Sequence, residues 1–166
     1  FAEGQCRNDW VLSIDADERL DLTCFKKEWL ASLNPAYQYA FRRKNHIFGK
    51  RIRHGGSYPD WVVRLYNRRT ASYTQTEHGR VTGAETHRSS EMEIEHFTHK
   101  DIETLYRKVV HSASYGARDL LEANKQPKNA FLSGLWMFFR LYILRGGILD
   151  GMAGFHWCFA AGLRSF

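Results

Sequence analysis

The stretch Asn8-Asp9-Trp10-Val11-Leu12-Ser13-Ile14-Asp15-Ala16-Asp17-Glu18 decides the reading of this chain. Trp10 to Ile14 is a short apolar run rich in strand formers, and it ends abruptly in Asp15-Ala16-Asp17-Glu18-Arg19. A buried strand running into acids is the pattern of a central strand's carboxyl end in an open α/β sheet. Such sheets bind ligands at that edge. Two carboxylates on a tight turn can share a hard divalent cation, Mg²⁺ or Mn²⁺, with a diphosphate. Acidic pairs are also common on solvated loops. The apolar strand in front of this one and Glu18 behind it set it apart.

Outward from that stretch, Leu22 to Leu33 reads as a short helix stopped by Asn34-Pro35. Tyr37 to Phe48 alternates like a strand. His54-Gly55-Gly56-Ser57-Tyr58-Pro59-Asp60 is a loop by its Gly and Pro content. Val62 to Tyr66 and Ala71 to Gln75 read as strands, Arg80 to Ser90 as polar and irregular, and Met92 to Phe97 as a final strand. Lys100 to Ala123 is the clearest helix, with Ile102, Leu105, Val109, Ala113, Gly116 and Leu120 at helical spacing. From Ala130 to Phe166 the chain is apolar but broken by Arg140, Arg145 and Gly146-Gly147. No window there reaches the roughly 18 uninterrupted apolar residues of a membrane span. An interfacial helix and a core helix fit equally well.

The 166 residues carry 24 Lys+Arg and 18 Asp+Glu, with 43% hydrophobic residues, which suits one globular domain and excludes wholesale disorder. Three cysteines without paired spacing argue against a disulfide framework and for a reducing compartment. No secretory leader opens the chain, which begins at Phe1 and reads as cut short. The basic excess is local: between Arg42 and Arg69 nine basic residues face one acid, Asp60. Such a segment implies an anionic partner or a solvated positive face. His96-x-x-His99 lacks further ligands at zinc spacing, so no zinc site is expected.

The Asn8–Glu18 segment closely resembles the "dWvl.lDaDE" signature of family 2 glycosyltransferases. Phe48 to Asp60, followed by Arg64-Leu65-Tyr66, resembles the next signature of one branch, the lipopolysaccharide-core glucosyltransferases and related bacterial cell-surface sugar transferases. Tyr142 to Gly151 resembles that branch's C-terminal segment. The three motifs occur in the expected order along nearly the whole chain.

The resemblance implies an α/β fold, a partial GT-A (Rossmann-like) mixed sheet followed by C-terminal helices. Residues 1–98 would form the metal and acceptor side, and residues 99–166 a helical region that contacts the membrane peripherally. The implied activity is inverting transfer from a nucleotide-sugar donor to a glycan or glycolipid acceptor, at the cytoplasmic face of the bacterial inner membrane. No nucleic-acid partner is implied. Asp15 and Asp17 would hold the Mg²⁺ or Mn²⁺, with Glu18 orienting them. Arg53, His54, Gly55, Gly56, Arg64, His78 and His96 fall at substrate-side positions. The family often has a His-Glu pair after its "RLF" strand. Here Thr76-Glu77-His78-Gly79 puts Gly79 at the Glu position. Either Glu77 has taken over as base, or Asp60 is the base, or this copy is impaired. A complete GT-A domain also needs an upstream βαβ portion, so the chain is expected to be the latter part of a longer transferase. Two other classes stay in view: a basic, aromatic-rich nucleic-acid-binding module over residues 42–69, and an inactive fragment that docks on membranes.

Overall fold

The structure is a computed structural model and describes residues 3–74, 80–122 and 129–164. The chain divides into two compact units, one of Phe1–Arg43 with Asp60–His96, the other of Lys44–Pro59 with Phe97–Phe166. The second unit thus begins two residues before the expected boundary and also takes residues 44–59, which the sequence reading places in the first.

The strands are β1 (Trp10–Leu12), β2 (Glu18–Leu20), β3 (Tyr37–Ile47), β4 (Lys50–Arg51), β5 (Asp60–Asn67), β6 (Ser72–Tyr73), β7 (Val81–Thr82) and β8 (Glu85–His99). The main sheet runs in the order β1-β5-β3-β8-β2, with β4 hairpinned onto β3. The β1–β5, β5–β3 and β8–β2 ladders are antiparallel. Partners on β3 and β8 advance together: Gln38 bonds Thr86, Arg42 pairs with Glu93, and His46 stacks on Phe97. Those two strands therefore run parallel, and the sheet is mixed. The expected α/β class, with a mixed sheet followed by helices, holds and is consistent with a partial Rossmann-like fold.

In the first unit both faces of the sheet are covered. Tyr39, Phe41, Leu65, Met92 and Ile94 form one core, with Trp10, Leu12 and Trp29 packed on it. Val11, Tyr66, Ala71 and Val81 form the other. Neighbours in β1 and β5 thus point to opposite cores, which is why the Trp10 run is continuously apolar rather than alternating.

Several expected elements differ. Among the described residues β1 pairs only with β5, at one end of the strand order, where the sequence reading expects a central strand. The helix expected from Leu22 to Leu33 shrinks to α1 (Lys27–Ala31) behind a 3₁₀ turn at Leu22–Cys24. Asp21 explains this: its Oδ1 accepts from the Thr23 N–H at 3.0 Å and its hydroxyl at 2.6 Å, a local turn that competes with helix. The polar stretch read as irregular contains β7 and the start of β8, whose first residues are exposed and therefore carry no apolar signature.

The second unit holds the ends of β3 and β8, β4, and the helices α2 (Ile102–Glu122), α3 (Ala130–Phe139) and α4 (Gly151–Leu163). A capping bond from the Thr104 N–H to Asp101 Oδ1 (2.7 Å) starts α2 where the sequence reading put it. Leu105 and Val109 pack with Ala160, and Ile47 and Ile52 pack with Ala153. A π-helical turn, Arg140–Leu144, extends α3. Among the described residues no single helix is long and apolar enough to cross a membrane, but Ala130–Leu144 and Gly147–Leu163, bent by 72°, pass together by length and composition.

Candidate active site

The chain leaves β1 at Leu12 and enters β2 at Glu18, at the opposite end of the strand order. Residues 13–17 therefore cross over the sheet, and the crossing carries Asp15 and Asp17. It is tied down at both ends. The Ser13 N–H donates to the Arg64 carbonyl at 2.8 Å, and the Glu18 N–H to the Asp15 carbonyl at 3.0 Å.

Beneath the crossing lies a chain of ion pairs. Glu18 is fully buried at its side chain and accepts on Oε1 from Arg64 Nη2 at 2.6 Å and Arg43 Nη1 at 3.3 Å. Arg64, on β5, also donates to Asp15 Oδ2. Arg43, on β3, sits opposite Asp60 in the β3–β5 register and donates to its Oδ2 from Nε (2.9 Å) and Nη2 (2.8 Å). His96, on β8, lies opposite Glu18 in the β2–β8 register, with Nε2 3.4 Å from Asp17 Oδ2. Burial works against the Arg64 charge, but Glu18 and Asp15 outweigh it and raise its pKa. Burial and the nearby Arg43 charge push the His96 pKa below its ordinary value, against the opposing pull of Asp17 and Glu18.

This cluster adjoins a polar cleft of about 810 Å³ in the same unit, lined among others by Asp15, Gln38, Arg43, Trp61, Arg64 and Arg80. Gln38 is buried, and its Nε2 donates to Thr86 Oγ1 at 2.8 Å. Among the described residues its Oε1 and the Arg64 Nε have no protein partner.

The sequence-predicted residues fall into three groups. Asp15, Asp17, Glu18, Asp60, Arg64 and His96 converge in the first unit. Arg53, His54, Gly55 and Gly56 belong to the second unit, where Asp150 holds the first two in place. Asp150 is buried, and its Oδ2 accepts from the Arg53 N–H at 3.0 Å and the His54 N–H at 2.8 Å. Gly55 has φ +61°, and a Cβ there would lie 2.9 Å from Cys158 Sγ, so this glycine serves a tight turn packed on its own unit. Glu77 and His78 lie outside the described residues. Sequence reasoning missed Arg43, which was one of nine basic residues with nothing to single it out. It also missed Asp150 as the group that organises the 53–54 turn.

Arg42, Arg43, Arg64 and Arg69 pair with Glu93, Asp60, Asp15 and Asp9 respectively, while Lys44, Lys50, Arg51 and Arg53 belong to the other unit.

Among the described residues no three His, Cys, Asp or Glu side chains form a cation cage. The donor set still suits a hard divalent ion that brings phosphate oxygens with it, because Mg²⁺ is ordinarily held by one or two protein carboxylates. The side chains of Asp15 and Asp17 are 51% and 39% exposed, and the cluster's four carboxylates outnumber its two guanidinium groups.

Comparison with known proteins agrees in outline. The chain is 28% identical to proteins from Rickettsia bellii, Rickettsia felis and Rickettsia conorii, each named an uncharacterized glycosyltransferase. The matches cover 93% of this chain and 58%, 60% and 61% of those proteins, so the chain spans about three fifths of the relatives' length. No family model matches, and no solved structure does. These similarities support a glycosyltransferase role.

Proposed function

We propose that the first unit is the catalytic part of a family 2, GT-A-type inverting glycosyltransferase. It would move a sugar from a nucleotide-sugar donor to a cell-envelope glycan or lipid-linked acceptor, as in lipopolysaccharide core assembly. One observation carries the reading: four strands and one crossing segment bring Asp15, Asp17, Glu18, Arg43, Asp60, Arg64 and His96 together beside a polar cleft.

In this reading Asp60 is the general base. Its carboxylate takes the proton of the acceptor hydroxyl as that oxygen attacks the anomeric carbon from the face opposite the diphosphate. The bond from that carbon to the diphosphate oxygen breaks, and the electron pair leaves with the diphosphate. Arg43 fixes Asp60 through both guanidinium donors, so the base is oriented before substrate arrives. Arg64 meets the negative charge growing on the leaving group, and burial strengthens that interaction. A divalent cation, Mg²⁺ or Mn²⁺, held by Asp15 and Asp17 would supply Lewis-acid neutralisation of the diphosphate. Asp60 is taken as the base because it belongs to this cluster.

Titration of the chain with UDP, GDP and ADP in the presence of Mn²⁺ tests the proposal. At least one nucleoside diphosphate should bind, and EDTA or Asp17→Asn should weaken that binding by about tenfold or more. Binding indifferent to both would overturn it.

A further inference from the structure

The helical hairpin of the second unit is built inside out for water. Along α3 the exposed positions are Phe131, Leu132, Leu135, Trp136 and Phe139, all large and apolar. The exposure continues through Ile143 and Leu144 on the π-helical turn and Leu149 and Met152 beyond the break, reaching 71% at Leu149. Apart from Asp150, the buried positions of the same hairpin are small: Gly134, Gly147, Ala153, Gly154, Cys158, Ala160 and Gly162.

The seam depends on that smallness. A Cβ on Gly154 would stand 2.1 Å from the Gly147 carbonyl oxygen, and one on Gly162 would stand 2.9 Å from that of Gly134. Small residues at a close backbone seam, with large apolar ones outside, are the packing of helices in lipid, where apolar burial between helices gains nothing. A helix pair stabilised in water shows the opposite arrangement.

Length settles how deep such a hairpin goes. Ala130–Leu144 and the 13-residue α4 each extend about 20 Å at helical rise, short of the roughly 30 Å hydrocarbon core. The 72° bend at Arg145–Gly146 keeps them from adding up to one straight span. Backbone at the break is satisfied within the unit: the Arg145 N–H donates to the Arg140 carbonyl, and the Arg145 carbonyl accepts from the Gly55 N–H, both at 2.9 Å.

Charge names the surface. Arg140 and Arg145 are exposed, whereas the hairpin's one acid, Asp150, is buried. We infer that Ala130–Leu163 is a hairpin that lies in the plane of a membrane interface. It seats its α3 face in the acyl region of a single leaflet of an anionic bilayer, with Arg140 and Arg145 at the phosphates. This stands apart from the sugar-transfer reading, since it rests on another unit and needs no nucleotide.

The test is flotation of the 166-residue chain with vesicles of phosphatidylcholine, alone or mixed with phosphatidylglycerol. The chain should float with the mixed vesicles, less with the neutral ones, and stay bound at about 0.5 M salt, where surface charge is screened. Leu135→Asp combined with Leu149→Asp, both at exposed positions, should lower binding about tenfold or more at unchanged circular dichroism. Brominated lipid should quench the unmodified chain more than Trp136→Phe, a readout that needs no aspartate variant to fold. Equal binding to neutral and mixed vesicles, release by salt, or equal quenching of the two proteins would overturn the inference. So would a lipid-free dimer that the double substitution dissociates, which would make a second copy the occupant.

Discussion

Glu18→Gln isolates the centre of the candidate site. It keeps the side chain's shape and removes its charge. The group lost is fully buried and accepts from Arg64 at 2.6 Å and Arg43 at 3.3 Å. A hydrogen bond to a charged group contributes about 1.5–3 kcal/mol, and the longer of these two sits at the weak end. Arg64 keeps Asp15 as a partner, so its positive charge is not left alone. The expected destabilisation is about 3 kcal/mol, at the lower edge of the cost of breaking a buried ion pair. With a urea slope of about 2 kcal/mol per molar, the unfolding midpoint should fall by about 1.5 M. Tryptophan fluorescence reads the transition, because Trp10 and Trp29 pack on the core of the same unit. Glu28→Gln, at an exposed position on α1, is the control and should leave the midpoint in place. A Glu18→Gln shift no larger than the control's would refute the claim that this carboxylate holds the two arginines.

Three further outcomes are expected. His96 is pushed toward its neutral form in the folded state, so the unfolded chain binds its proton more readily. Its contribution is fully present above the unfolded value of 6.5 and is lost as pH falls through the lower folded value, so His96→Gln should flatten that part of the stability profile. Asp60→Asn should lower turnover by about a hundredfold or more while Mn²⁺-dependent diphosphate binding persists, which separates a base from a binding residue in steady-state kinetics. Asp150→Ala removes the acceptor of two backbone N–H groups at Arg53 and His54, and it should cost about 2–4 kcal/mol in urea unfolding.

Trp10 to Glu18 was readable because both its signals are local: apolar residues in succession, then acids. Arg64 as a site candidate also came from the sequence, although its pairing with Asp15 did not. Nor did Arg43. Its role depends on standing opposite Asp60 across β3 and β5, and register is a property of two strands at once. The start of β8 was illegible for a related reason, since an exposed strand has no need of the apolar alternation by which strands are found. α1 was overestimated because apolar spacing outweighed the turn that Asp21 makes with Thr23.

The ion pairs under the crossing also guard the pairing of β2. Along that strand Glu18 is buried and its neighbour Arg19 is exposed. Sliding β2 by one position against β8 would bring Arg19 inward, because successive side chains point to opposite faces. A third guanidinium would then face Arg43 and Arg64 in place of the carboxylate that both now share. Misaligned pairing is thereby penalised by repulsion as well as by lost packing, and the same acid that binds the two arginines sets where the crossing segment ends.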